Sequence, residues 1–197
     1  MIIVIDNNDS FTYNLIDYIR TKATHSVEVL KVTEVTVALL EELTVEAIVI
    51  SPGPGKPSGY PILKSILDRY VSSVPILGIC LGCQLIYEYY GGEIIHGPKP
   101  IHGHTTSITH TGKGLFKQLP QNFKVMRYHS LIANKQQLPY QLNITATNNE
   151  GIMMAFEHET LPIFAVQYHP ESILSEYGHQ QIQYFLERVG KTYEYYV

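Results

Sequence analysis

The chain has 197 residues, 45% hydrophobic and only 16% charged, with a net charge of −4. That length suits one domain whose core needs neither disulfides nor metals. With 14 basic residues against 18 acidic ones and no Lys/Arg block, the chain lacks the cations that neutralise phosphates, and nucleic-acid binding is not expected.

No apolar run reaches the roughly 18 residues of a membrane span. The opening Met1–Asp9 stretch lacks the positive start and cleavage site of a signal peptide, so a cytoplasmic protein is expected. Met1–Ile5 is apolar at every position, the pattern of a strand buried on both faces of a parallel sheet. Asp9 or Ser10 is placed to cap a helix in which Phe11, Leu15, Tyr18 and Ile19 recur at helical spacing. Val27–Val32 reads as a second strand, Val35–Leu43 as a helix weakened by β-branched residues, and Ala47–Ile50 as a third buried strand. Ser51-Pro-Gly-Pro-Gly55 must then be a loop. Tyr60–Tyr70 is helical. Pro75–Ile79 is a fourth strand, and Leu81–Tyr90 a helix closed by Gly91-Gly92.

After about residue 93 the pattern changes to short strands: 105–109, 123–127, 143–147, 152–156 and 162–166. A last helix runs from about Glu176 to Val189. The alternation in the first half implies right-handed βαβ crossovers. The expected fold is therefore α/β and doubly wound over a single domain, 1–197. Its central sheet is mostly parallel, with helices on both faces and an antiparallel extension in the second half.

Gly78-Ile-Cys80-Leu-Gly82 carries the sharpest chemical signal. It sits where a buried strand turns into a helix, and glycines on both sides of a nucleophile permit a tight elbow. The thiol then projects at the carboxyl edge of the sheet, beside a helix N-terminus that favours thiolate. The N–H of Leu81 points into the same space as an oxyanion donor. The plain alternative is a small buried cysteine. Cys80 and Cys83 also spell C-x-x-C, a thiol-redox signature that leaves the glycines unexplained.

Among nine histidines, His169 stands out within Gln167-Tyr-His169-Pro-Glu171 after a buried strand. In extended chain Glu171 shares its face and orients its ring, completing a Cys–His–Glu relay; a surface His-Pro turn is the alternative. Ser51–Gly55 is not a phosphate loop, but its stiffness suits a second oxyanion donor. Arg127-Tyr-His129-Ser130-Leu131 places polar groups after a strand as a substrate-contacting edge. His102, His104 and His110 have no local carboxylate or thiolate beside them and read as solvated strand positions, so no metal is expected.

Together SPGPG (51–55), GICLGCQ (78–84), RYHSL (127–131) and YHPES (168–172) resemble the triad-type, class I glutamine amidotransferases. IDNNDSFTYNL (5–15), PIHG (100–103) and HTGKGLF (110–116) narrow the likeness to the glutaminase components of anthranilate and aminodeoxychorismate synthases. The resemblance implies that Cys80 attacks L-glutamine, His169 moves the proton and Glu171 orients it. It implies an oxyanion hole from the N–H groups of Gly53 and Leu81. Pro54, Gly55, Gln84, Ser130 and Leu131 would complete the glutamine pocket. It further implies no cofactor in this chain, and ammonia delivered to a separate chorismate-binding synthase subunit. Cys83 stands where these components often carry His, and His104 where they often carry Lys; neither position touches the relay.

Overall fold

The computed structural model describes residues 1–191, except the side chains of residues 99–102. The Pro100, Ile101 and His102 side chains of the PIHG motif therefore lie outside the described residues.

Nine strands form one sheet. In chain order, β1 (Ile2–Asp6), β2 (Val27–Lys31), β3 (Ala47–Ile50) and β4 (Ile76–Ile79) alternate with α1 (Thr12–Lys22), α2 (Val37–Glu41), α3 (Pro61–Tyr70) and α4 (Leu81–Tyr89). Then come β5 (Ile94–His110), β6 (Phe123–Ala133), β7 (Leu142–Asn148), β8 (Met153–His158), β9 (Ile163–Val166) and α5 (Gly178–Leu186). The spatial order is β2-β1-β3-β4-β9-β8-β7-β5-β6. Pairing is parallel from β2 through β9 and antiparallel beyond it.

The expected α/β architecture is thus observed, with three refinements. The late strand β9 joins the parallel half beside β4 instead of the antiparallel extension. The 105–109 segment is the end of a 17-residue strand. The β6 strand also extends through the Arg127–Leu131 motif, which lies within a strand and not after one.

Strand alternation divides the core between the two faces. Ile2 and Val4 pack with α1 and α5, and Ile3 and Ile5 with α3 and α4. Each such fully buried side chain is worth about 1.5–3 kcal/mol. Helix α1 starts without the expected side-chain cap: Phe11 holds the N-cap position, and the Asp9 carboxylate accepts the Phe11 N–H at 2.8 Å. No helix among the described residues is long and apolar enough to cross a membrane.

Candidate active site

The β4–α4 junction places Cys80. Its backbone lies at φ 52°, ψ −98°, a strained left-handed conformation that persists only when its surroundings enforce it. Two neighbours do so. A Cβ on Gly78 would lie 2.5 Å from the Gly82 carbonyl oxygen, and one on Gly82 would lie 2.5 Å from the Ile50 carbonyl oxygen. The elbow is closed so tightly that only glycine fits at either position.

Gly82→Ala is therefore expected to cost about 3 kcal/mol or more, because backbone meets backbone and neither side can yield. Gly59→Ala, where an added Cβ meets nothing within 4 Å, is expected to stay within about 0.5 kcal/mol of the parent. Thermal unfolding of both variants checks this; a Gly82→Ala midpoint equal to the parent's would refute the close-packing account.

The Cys80 N–H is spent on the Val166 carbonyl at 2.9 Å, which ties the elbow to β9. The next N–H groups belong to the first turn of α4, which has no intrahelical acceptor for them. Leu81 is one of these, and it lines a cavity of about 310 Å3 together with Cys80, Gly53, Pro54, Gly55, Gln84, Ser130 and Leu131. The volume is that of a small-metabolite site. Every pocket residue expected from the sequence thus borders one cavity, joined by Asp9, Tyr128 and His129.

The 51–55 loop is held in shape from two sides. Asn7 donates its backbone N–H to Ser51 Oγ at 2.9 Å and its Nδ2 to the Ser51 carbonyl at 2.8 Å. Tyr60 donates its hydroxyl to the Pro54 carbonyl at 2.7 Å. A Cβ on Gly53 would strike Asn7 Cβ and Leu81 Cδ2, each at 2.6 Å, so the loop lies directly against the elbow.

His169 lies near Cys80, in the turn after β9. Its N–H donates to the Met126 carbonyl at 3.0 Å, and Ser172 N–H closes a turn onto the His169 carbonyl at 3.2 Å. That turn, and not the extended chain expected, brings Glu171 beneath the ring. His169 Nδ1 donates to Glu171 Oε1 at 2.7 Å, and both side chains are buried. Phe11 packs on the ring with centroids 4.9 Å apart.

Burial pushes the His169 ring towards neutrality, but the adjacent Cys80 sulfur and the Glu171 carboxylate outweigh it and raise its pKa. His169 Nε2 is buried and has no aligned hydrogen-bond partner, while Cys80 lies near enough to raise the ring's pKa by hydrogen bonding as well as by charge. The Glu171 carboxylate holds the tautomer that leaves Nε2 unprotonated, as an acceptor on the far side of the ring.

Sequence reading overlooked three contributors. Gln167, treated there only as context for His169, is buried and points its Nε2 at Cys80 Sγ, 3.8 Å away. Asn7 and Tyr60 lay outside the motifs considered for chemistry. The period-2 pattern offered a weak signal for Gln167, since a buried strand runs directly into it.

The two cysteines differ in their surroundings. Both thiols are free, and they pack into different core clusters. Full burial pushes the Cys83 thiol well up, the opposite of a reactive thiolate. His110, half-buried at the end of β5, donates Nε2–H to the Pro120 carbonyl at 3.0 Å and stacks on Phe116, so it is packed on one side and only partly solvated. His104 is exposed. Among the described residues no group of three or more His, Cys, Asp or Glu side chains could hold a metal ion.

A thiol on a strained elbow, a buried His–carboxylate pair behind it and a cavity in front define a cysteine-nucleophile acyl-transfer site. Residues 3–189 match the family model described as glutamine amidotransferase class-I, and the chain belongs to that family. It is 41% identical over 187 residues to anthranilate synthase component 2 of Azospirillum brasilense, covering 94% of this chain and 95% of that one. It is 39% identical over 191 residues to aminodeoxychorismate/anthranilate synthase component 2 of Bacillus subtilis, covering 97% and 98%. A multifunctional tryptophan biosynthesis protein of Pichia angusta is 40% identical over 194 residues, covering 98% of this chain but 53% of that one. The chain thus spans about half the length of that fused relative.

Proposed function

We propose that this chain is a glutaminase subunit that hydrolyses L-glutamine and passes ammonia to a separate chorismate-using synthase subunit making anthranilate. The observation that carries the chemistry is the Cys80 elbow opening on the cavity, with the buried His169–Glu171 pair behind it. Cys80 thiolate attacks the side-chain amide carbon, and the oxyanion is met by the N–H groups of Gly53 and Leu81. The C–N bond breaks as His169 delivers a proton to the departing ammonia. Water then attacks the γ-glutamyl thioester as His169 takes its proton, the C–S bond breaks to return the Cys80 thiolate, and glutamate leaves. These steps need no cofactor.

Gln84 supports glutamine as the substrate. Its Nε2 donates to the Leu131 carbonyl at 3.3 Å and to Gln167 Oε1 at 3.2 Å. Both amide protons are committed to the protein, so its Oε1 is left as an acceptor for a substrate N–H. The partner reading rests on the component 2 names of two full-length relatives. Exposed apolar residues close in sequence to the site fit it: Ile173 and Leu174, two and three positions after Glu171, are 92% and 51% exposed. The Bacillus relative's double name favours one alternative, in which the same subunit serves aminodeoxychorismate synthesis. Operation in the cytoplasm belongs to the same proposal.

The test is glutamine hydrolysis by the purified chain, alone and with each candidate synthase, with and without chorismate. The expected result is slow hydrolysis by the chain alone and a rise of about 5- to 150-fold on assembly, the usual size of a coupling between sites. Activity that neither synthase alters would leave a free-standing glutaminase and refute the subunit role.

A further inference from the structure

His169 stands at a bend with little regular structure around it. The β9 strand has ended at Val166, and Pro170 follows with no N–H to give. Glu171 and Phe11 steady the ring, but its place against the elbow also depends on the main chain that carries it. That main chain forms an isolated antiparallel bridge with Met126 of β6. Residues paired in this way exchange both of their N–H···O bonds. His169 makes one of them directly, donating its N–H to the Met126 carbonyl at 3.0 Å. A side chain stands in for the other: Ser175 Oγ accepts the Met126 N–H at 2.9 Å and donates to the His169 carbonyl.

A hydroxyl can do both at once, because it is a donor and an acceptor on one atom. Both ends of the link need it. Met126 is buried, where an unpaired N–H is costly. The His169 carbonyl accepts Ser172 N–H at 3.2 Å, and Ser175 fills its second lone pair. Ser175 reaches this position by a tight turn, its own N–H donating to the Ser172 carbonyl at 2.9 Å. Ile173 and Leu174 form the exposed corner of that turn. The next residue is gripped by β6 twice: Glu176 N–H donates to the Lys124 carbonyl at 2.9 Å, and Lys124 N–H to the Glu176 carboxylate at 2.6 Å. The half-buried Ser175 is thus delivered to β6 by contacts outside the relay.

We propose that Ser175 is a positioning residue for the reaction: its hydroxyl, wedged between the Met126 N–H and the His169 carbonyl, sets how far the His169 main chain stands from β6 and so where the imidazole sits against Cys80. This rests on the glutaminase reading above. Ser175 touches no reacting atom. Without the hydroxyl, the Met126 N–H and the His169 carbonyl are left facing each other, and His169 moves towards β6 as they close on one another. A misplacement of about 1 Å costs about 10^2-fold in rate. Neither Ser175 nor His169 lines the glutamine cavity, so substrate binding is spared.

The experiment uses the full chain with two variants, Ser175→Ala and Ser175→Thr; the second keeps the hydroxyl. In the complex with the synthase, Ser175→Ala is expected to lower kcat for glutamine hydrolysis about 10- to 100-fold with KM little changed, and Ser175→Thr to recover most of the parent rate. Nitrogen-15 histidine spectra of the chain alone supply a readout that packing by itself would not move. The titratable groups facing the His169 ring are Cys80 from the β4–α4 junction, Glu171 from its own turn and His129 from β6. Burial lowers the His169 pKa, and Cys80 and Glu171 outweigh it. An imidazole drawn away from the thiol loses part of the Cys80 contribution, so its titration midpoint should fall in Ser175→Ala and return in Ser175→Thr.

A Ser175→Ala enzyme with the parent kcat overturns the proposal, as does a lowered kcat that Ser175→Thr does not restore. A lowered kcat with an unmoved His169 midpoint, or a Ser175→Ala chain that does not fold, would make the hydroxyl a structural staple and also overturn it. If the assembled parent hydrolyses no glutamine, the glutaminase reading itself fails, and the His169 midpoints still show separately whether Ser175 places the imidazole.

Discussion

Cys80→Ser is expected to lower glutamine hydrolysis by about 10^4-fold or more while leaving the fold and ammonia-dependent synthesis by the partner intact. Losses of this order follow when a covalent nucleophile is disabled in a site that otherwise stays assembled. The swap changes one atom, and position 80 is held by backbone: its N–H is bound by Val166, its carbonyl accepts from Gln84 N–H, and its neighbours are locked by Gly78 and Gly82. Serine inherits the elbow but not the chemistry, since its hydroxyl ionises far less readily than a thiol. Substrate binding should survive, because the rest of the cavity wall is unchanged and the serine is nearly the size of the cysteine it replaces.

Cys83→Ser is the matching control. That thiol is buried on the opposite side of the sheet and its change should cost stability but little turnover. Retention of most activity in Cys80→Ser would remove Cys80 as the nucleophile. Equal losses at both cysteines would return the pair to thiol-redox chemistry.

What was readable in the sequence and what was not follows from how far each constraint reaches along the chain. The elbow was legible because its glycines stand two residues from the nucleophile, and a clash at that distance is a local property. The pairing of His169 with Glu171 was legible for the same reason, although the turn that makes it had been mistaken for extended chain. Gln84 meeting Gln167, Asn7 meeting Ser51 and Arg127 meeting Glu150 join residues 83, 44 and 23 positions apart. No spacing rule connects them; only the sheet order does.

The β5 strand escaped for a different reason. Gly97, Pro98, Pro100 and Gly103 read as breakers, and the strand accommodates them with irregular pairing between His96 and Ile101 and again between His102 and His104. Bulges of this kind let a strand carry residues that a regular ladder rejects. Likewise β9 carries no mark of its parallel partner. Its four buried residues, Ile163–Val166, suit either kind of central position.

His169→Ala is expected to lower glutamine hydrolysis in the assembled complex by about 10^4-fold, and Glu171→Gln by about 10^2-fold, within the range for general acid–base groups. Removing the imidazole removes the group placed beside the thiol to take its proton and return it to ammonia. Removing the Glu171 charge leaves more behind. A glutamine there still offers an oxygen to His169 Nδ1–H, so the tautomer and ring position survive, supported by Phe11 against the ring and by the His169 N–H on Met126. What is lost is the field that favours imidazolium. Glu171 is one of the two groups that raise the His169 pKa against burial, so Glu171→Gln must lower it. Since the protonated ring is the acid that frees ammonia, its alkaline limit should come down with it. The pH profile of kcat/KM in Glu171→Gln should therefore lose its alkaline limb at lower pH than the parent, with the optimum displaced to the acid side. Glu171→Gln slower than His169→Ala, or an alkaline limb displaced upward, would show that the carboxylate does not act through the imidazole.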